Sequence, residues 1–162
     1  MNLDNGAALL QNLPDDVPSL MLPFFDKTLL VPTVTVAEVV GYRKPDQIER
    51  APDWLLGLFA WRDQRVPMMS LELLTGQPLA PVSDLSRVAV FNYTGVSEEL
   101  PFVAVPTVGI PKLARVTADE LALQDAGPAN VFEKSRVKLN GESLVIPEIS
   151  ALEQAYLSWK QG

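Results

Sequence analysis

The apolar residues of this 162-residue chain come in short runs, each cut off by proline, glycine or charge. None approaches the roughly 18 residues of a membrane-spanning helix, and few repeat at helical spacing. Closely spaced short strands with few helices are the expected outcome, and with 48% hydrophobic residues the chain can bury a core.

Ala7 to Leu13 reads as weakly helical, and Pro14-Asp15-Asp16-Val17-Pro18 is rich in breakers, so residues 1–18 are expected to form an N-terminal extension. From Leu20 the sequence turns β-like. Leu20 to Phe25 and Thr28 to Val31 flank Asp26-Lys27 as a hairpin, with Pro23 restricted to an edge or a strand end. Val34 to Val40 alternates as a strand packed on both sides and stops at Gly41. After a charged loop, Trp54 to Trp61 and Val66 to Met69 form a strand pair around Arg62-Asp63-Gln64-Arg65, and Ser70 to Leu74 makes one helical turn.

Beyond the linker Gln77 to Asp84 the pattern starts again. Strands are expected over Arg87 to Tyr93, Leu100 to Val105 and Val108 to Val116, then a pair within Val131 to Ile149 turning at Asn140-Gly141, a strong hairpin dipeptide. The tetrapeptide Val-Pro-Thr-Val occurs at Val31 to Val34 and at Val105 to Val108, each time upstream of an apolar strand pair, which marks an internal duplication. Thr117 to Glu120 and Ser150 to Glu153 match the capping box. Leu152, Ala155, Tyr156 and Trp159 share a helical face, so a helix over Ser150 to Lys160 docks on the sheets. Two small antiparallel barrels fit this order better than an α/β sheet.

Composition narrows function. Twenty acidic against 13 basic residues give a net charge of −7, which disfavours nucleic acid as a partner. Cysteine and histidine are both absent, which removes thiolate chemistry, the commonest zinc ligands and the commonest general base. The acidic pairs Asp15-Asp16, Glu98-Glu99 and Asp119-Glu120 sit at turns or helix starts, without surroundings that would raise a carboxyl pKa. No enzyme, metal or cofactor is expected. An acidic N-terminus without a basic region, and no membrane-length apolar run, point to a cytoplasmic protein with no membrane insertion.

The segment Val36-Ala37-Glu38-Val39-Val40, then Ala51-Pro52-Asp53-Trp54-Leu55-Leu56-Gly57-Leu58, Arg62, Val66-Pro67 and Leu71 resembles the CheW-like domain of chemotaxis coupling proteins. The resemblance implies two five-stranded SH3-like barrel subdomains, intertwined in one domain over residues 19–152, with residues 153–162 as a C-terminal helix. It implies a non-catalytic adaptor that joins the cytoplasmic tip of a methyl-accepting chemoreceptor to the regulatory domain of a CheA-like histidine kinase. Asp63 stands where the pattern has Gly, Ser70 where it has Asp, and Val145-Ile146-Pro147-Glu148-Ile149 replaces its Leu-Asp ending. These departures suggest a specialised paralogue, similar to the ChpC-type proteins of pilus-linked systems controlling twitching motility.

Partner contacts would then fall on the first barrel, with Val36, Glu38, Val39, Gly57, Arg62 and Val66 as candidates. Glu38 lies in an apolar strand and needs a partner or solvent. Arg62 is the partner that the resemblance supplies, either as a structural salt bridge or in direct contact with another protein. Breaking a partly buried pair would cost about 3 kcal/mol. Period-two alternation puts Val36 and Val39 on opposite faces, and leaves Trp54, Phe59 and Trp61 as core or interface. A rival reading is a small-molecule-binding sensory barrel with Thr33, Thr35 and Glu38 as internal polar handles.

Overall fold

The computed structural model describes residues 16–124 and 126–162. The helical stretch expected at Ala7 to Leu13 lies outside them. Strand β1 (Val17–Pro23) begins inside the expected terminal extension, and Val17 already pairs with Val116. There follow β2 (Thr28–Pro32), β3 (Val36–Gly41), β4 (Leu55–Trp61), β5 (Gln64–Met69), the single-turn helix α1 (Leu71–Leu74), β6 (Arg87–Asn92), β7 (Phe102–Thr107), β8 (Lys112–Val116), β9 (Leu121–Leu123), β10 (Glu133–Leu139), β11 (Glu142–Pro147) and α2 (Ile149–Gln161).

The strands form two sheets, ordered β8-β1-β2-β11-β10-β9 and β3-β6-β7-β5-β4, a mainly β architecture consistent with two SH3-like barrels. The first sheet has six strands rather than the expected five, because the short β9 adds to its edge beside β10. Aligning the two orders pairs β1 with β6, β2 with β7, β8 with β3, β11 with β5 and β10 with β4. The duplicated units are therefore β1 to β5 and β6 to β11, and each has given its first hairpin to the other's sheet. Each lent hairpin is held on both sides, by an antiparallel pairing (β1 with β8, β6 with β3) and by a parallel one, β2 with β11 at Leu29 and Val145 and β7 with β5 at Ala104 and Met68. The two Val-Pro-Thr-Val copies mark the crossovers, where Pro32 and Pro106 close the lent hairpins.

Burial follows from the exchange. Along β2, Leu30 faces the interior of the first barrel with Val137, Leu139 and Leu144, while Leu29 and Val31 face a core between the barrels. Along β6, Val88 and Val90 fill the second barrel with Phe59, Trp61, Val66, Met68 and Ala104, while Ala89 and Phe91 face the same shared core. Central strands buried on both faces read as nearly unbroken apolar runs. Both barrel interiors are packed with their own apolar side chains, which argues against the hollow-barrel reading. Thr33 and Thr35, its proposed handles, lie on a 3-10 turn outside the strands.

Two buried carboxylates join the barrels in matching places. Glu72 on α1, behind β5, accepts the Phe25 N–H of the β1–β2 loop (3.1 Å). Glu153 on α2, behind β11, accepts the Thr94 N–H of the β6–β7 loop (3.0 Å) and the Thr94 hydroxyl. The expected Ser150–Glu153 capping box is therefore not made. The helix starts one residue earlier, after Glu148, and Glu153 is 1% exposed in the shared core region instead of capping. The Thr117–Glu120 box does form, on a 3-10 turn, and the Thr117 amide and hydroxyl hold the Glu120 carboxyl below its ordinary pKa.

A third buried carboxylate, Glu133 at the start of β10, binds Arg136 through Nε at 2.8 Å and Nη2 at 3.0 Å, the Ala129 N–H at 2.9 Å and Lys27 at 3.3 Å. Lys27 belongs to the lent β1–β2 hairpin, so this cluster ties the two units together. The Arg136 guanidinium, followed by the Ala129 amide and Lys27, holds the Glu133 carboxyl at about 2. Because the folded pKa lies below the unfolded one, the stabilisation is complete above about pH 4.5 and disappears as pH falls toward 2. Urea unfolding between pH 6 and pH 2.5 is expected to show a loss of about 2 to 3 kcal/mol from this site, with a flatter profile in Glu133→Gln.

The interleaved units also predict the outcome of a single cut. Cleavage at a protease site introduced in the exposed stretch Pro81 to Leu85 severs the link between them without touching a strand. The nicked halves are expected to co-elute at the mass of the intact chain and to separate only in denaturant, since neither half carries a complete sheet. Separation in native buffer would show that the shared pairings do not hold the units together.

Candidate functional site

Around Glu38 the structure departs from simple strand alternation. A β-bulge lies between Val36 and Glu38, so Val36 opposes Phe91, Glu38 opposes Val90 and Val39 opposes Ala89. Opposed residues share a face, and Phe91 and Ala89 both belong to the core between the barrels. Val36 and Val39 therefore lie on one face rather than the opposite faces expected, because the bulge inserts one residue at Ala37. Both are half-buried.

Glu38, on the other face, reaches the end of the second barrel, which contains the Val36 to Leu71 segment expected to form the first. Its Oε1 accepts the Trp61 Nε1–H at 2.8 Å and lies 3.3 Å from Arg62 Nη2. The Arg62 guanidinium stands 4.8 Å over the Trp61 ring, and Trp61 packs edge-on to Phe102 at 4.7 Å. The indole is the centre of this group. It is 5% exposed, with its ring in the barrel core and its N–H spent on the carboxylate. Phe59 is likewise core, with Arg43 stacked 4.6 Å from its ring centre, and Trp54 is half-buried against the shared core.

The ion pair is more open than its position in an apolar strand suggested. The Arg62 and Glu38 side chains keep 62% and 41% of their exposure, so the pair is worth less than about 1 kcal/mol rather than the 3 expected for a buried one. Arg62 is held out toward solvent by a carboxylate and an aromatic ring, as a contact residue needs to be.

Two of the six candidate contacts lie inside the molecule. Val66 is 2% exposed in the second barrel's core, packed beside Phe59 and Met68. Gly57 is buried, with φ +145°, and a Cβ there would lie 2.2 Å from the Asp46 carbonyl oxygen. That vacant space lets the 43–53 loop bond to β4, with Asp46 N–H to the Leu58 carbonyl (2.9 Å) and Leu58 N–H to the Asp46 carbonyl (2.8 Å). Neither residue can touch a partner directly, because each is covered by its own barrel. Arg65, missed in the sequence, joins the surface through Asp46 at 3.2 Å. Its charge beside the turn was the available signal.

The chain's departures from the family pattern are now interpretable. Ser70 caps α1, its Oγ accepting the Leu73 N–H at 3.1 Å, an acceptor role that Asp fills equally well. Arg62 and Asp63 form the two-residue β4–β5 turn with φ of +47° and +59°, shorter than the four-residue turn expected. The equivalent turn between β10 and β11 is Asn140-Gly141, also left-handed.

With this geometry in place, comparison with known proteins is decisive for the family. The CheW-like domain matches residues 20–155. The chain belongs to the CheW-like domain family. Among solved structures, the scaffolding protein TtCheW from Thermoanaerobacter tengcongensis superposes with a TM-score of 0.70 at 13% identity, over 82% of this chain and 89% of that one. No curated protein matches the sequence. This CheW-like chain has, among its described residues, no His, Cys, Asp and Glu cluster suited to a metal, and no helix long and apolar enough to cross a membrane.

The turn and the ion pair make separable predictions. Asp63→Gly relieves a left-handed conformation that costs a non-glycine residue about 1 kcal/mol, so urea unfolding is expected to show a gain of roughly that size. Arg62→Ala is expected to lower stability by less than about 1 kcal/mol, which makes it a usable binding probe.

Proposed function

We propose that this protein is a non-catalytic scaffold that couples the cytoplasmic tip of a methyl-accepting chemoreceptor to the regulatory domain of a CheA-like histidine kinase. The reading is carried by the exposed Arg62, fixed by Glu38 and Trp61 at the rim of the second barrel. Val36 and Val39 together on the face toward the other barrel support it. The family match over most of the chain supports the scaffold role, as does the fold shared with a protein described as a scaffold. Such a role requires no chemistry, only surfaces held at a fixed mutual orientation, and a chain without His or Cys suits it.

The protein would act in the cytoplasm, where receptor tips and kinase meet. The narrower assignment to a pilus-linked system of the ChpC type rests on Asp63, Ser70 and the Val145 to Ile149 ending. Asp63 adds a carboxylate at the turn beside Arg62, and so alters the charge a partner meets, whereas Ser70 conserves its cap.

Capture from a bacterial lysate, with Arg62→Ala as paired bait, tests the coupling role. A chemoreceptor and a CheA-like kinase identified among the bound proteins, with at least one weakened about tenfold or more by the substitution, are expected from a rim anchor. Recovery of neither would sink the coupling role. Equal recovery with both baits would remove Arg62 from the contact.

A further inference from the structure

Where the second crossover meets α1, a cleft of about 240 Å³ lies between the second barrel and the linker. Leu56, Pro106 and Val108 line it together with Leu79 and Val82, and Glu72 also contributes to its wall. Val36, Glu38, Val39 and Arg62 do not, so it is distinct from the surface described above. Glu72 is 3% exposed.

The matching carboxylate of the other unit shows what is unusual about Glu72. Both oxygens of Glu153 accept hydrogen bonds from Thr94. Glu72 accepts through Oε2 alone, from the Phe25 N–H, and among the described residues no donor or cation meets its Oε1. No sealed side-chain oxygen is left unpaired among those residues either. Oε1 is therefore not sealed, and Glu72 is one of the residues that line the cleft. Lys44 lines the same cleft and is exposed, without an ion pair to Glu72.

A carboxylate this deep gains from a counterion, and apolar walls require that the cation arrive on an apolar stem. A guanidinium engages best with two free oxygens, whereas one free oxygen suits the single-point contact of an ammonium. The volume falls below the roughly 300 to 1,000 Å³ of pockets that enclose drug-sized molecules and suits a long side chain with its neighbours. We propose that the cleft receives a lysine side chain from an extended, otherwise apolar segment of a partner protein, with its ammonium on Glu72 Oε1. The site rests on the scaffold reading only in requiring a protein partner.

The test uses the isolated full-length chain, so its outcome is independent of whether a receptor or kinase is captured. Titration with a blocked leucyl-lysyl-leucine tripeptide, followed by amide NMR, is expected to give saturable shifts at Leu56, Val82, Thr107 and Val108. Replacing the peptide's lysine with norleucine, or Glu72 with Gln, is expected to weaken binding about tenfold, the scale of one charge contact. If Glu72→Gln fails to fold by circular dichroism, Val82→Lys sets a competing ammonium at an exposed cleft position and is expected to weaken binding similarly. Equal affinity for the norleucine peptide, unchanged affinity in the folded variant, or shifts confined to other surfaces would overturn the assignment. n-Pentylamine binding as tightly as the peptide would also overturn it, since the occupant would then be a small amine and not a protein segment.

Discussion

The two parallel strand pairings, β2 with β11 and β7 with β5, are what the rest of the molecule depends on. Each joins a hairpin of one duplicated unit to the strand pair of the other, so neither barrel can close from one half of the chain. A parallel pair needs a long connection, and here β3 to β10 run between β2 and β11, while α1, the linker and β6 run between β5 and β7. The exchange also creates the shared core. Strands such as β2, β6 and β7 lie between a barrel interior and the neighbouring barrel, and their alternate residues feed two different cores. The largest of the three clusters belongs to neither barrel alone, and it holds residues as far apart in sequence as Leu22 and Tyr156.

The buried charges are placed at the seams of this exchange. Glu72 and Glu153 each run from a helix behind one barrel to a hairpin loop of the other, and Glu133 with Lys27 joins strands from the two units inside one barrel. Buried polar contacts add little net stability compared with apolar packing of similar volume, but they penalise any displacement that would strand a carboxylate. Apolar contacts would tolerate a small slide of one barrel over the other, whereas a carboxylate bound to a single backbone N–H tolerates much less.

Much of this was legible in the sequence, for local reasons. Asn140-Gly141 specified its turn, the apolar runs specified most strands, and the repeated Val-Pro-Thr-Val marked the duplication. Which strands pair across the exchange was not legible, because pairing between distant segments leaves no local signature beyond runs buried on both faces. The bulge at Ala37 was hidden for a similar reason. Nothing in Val-Ala-Glu-Val-Val signals an extra residue, and its presence reversed the relation between Val36 and Val39. The capping box expected at Ser150 and Glu153 fails because nothing local separates a capping glutamate from one turned inward, and only the position of Thr94 does so. Gly57 matched a family motif for its missing side chain, not for a contact. The Glu38–Arg62 pairing was inferred from resemblance, while its third member, the Trp61 indole N–H, had no sequence signal at all.

The departures from the family pattern show where divergence has acted. Ser70 keeps the acceptor that caps α1, and Asp63 keeps the left-handed turn, so the backbone is preserved at both places. What changes is the side chain offered at the β4–β5 tip, where an acidic group now stands next to the arginine that Glu38 and Trp61 hold in place. The fold is likewise shared, at a TM-score of 0.70, with a protein at only 13% identity. The constraint that survives such divergence is on residues facing three cores, where volume and alternation matter more than identity. Residues at turn tips and barrel rims carry no such constraint. In a fold whose backbone is set by an exchange between its own halves, side chains at those tips can change without disturbing the pairings that hold the barrels together.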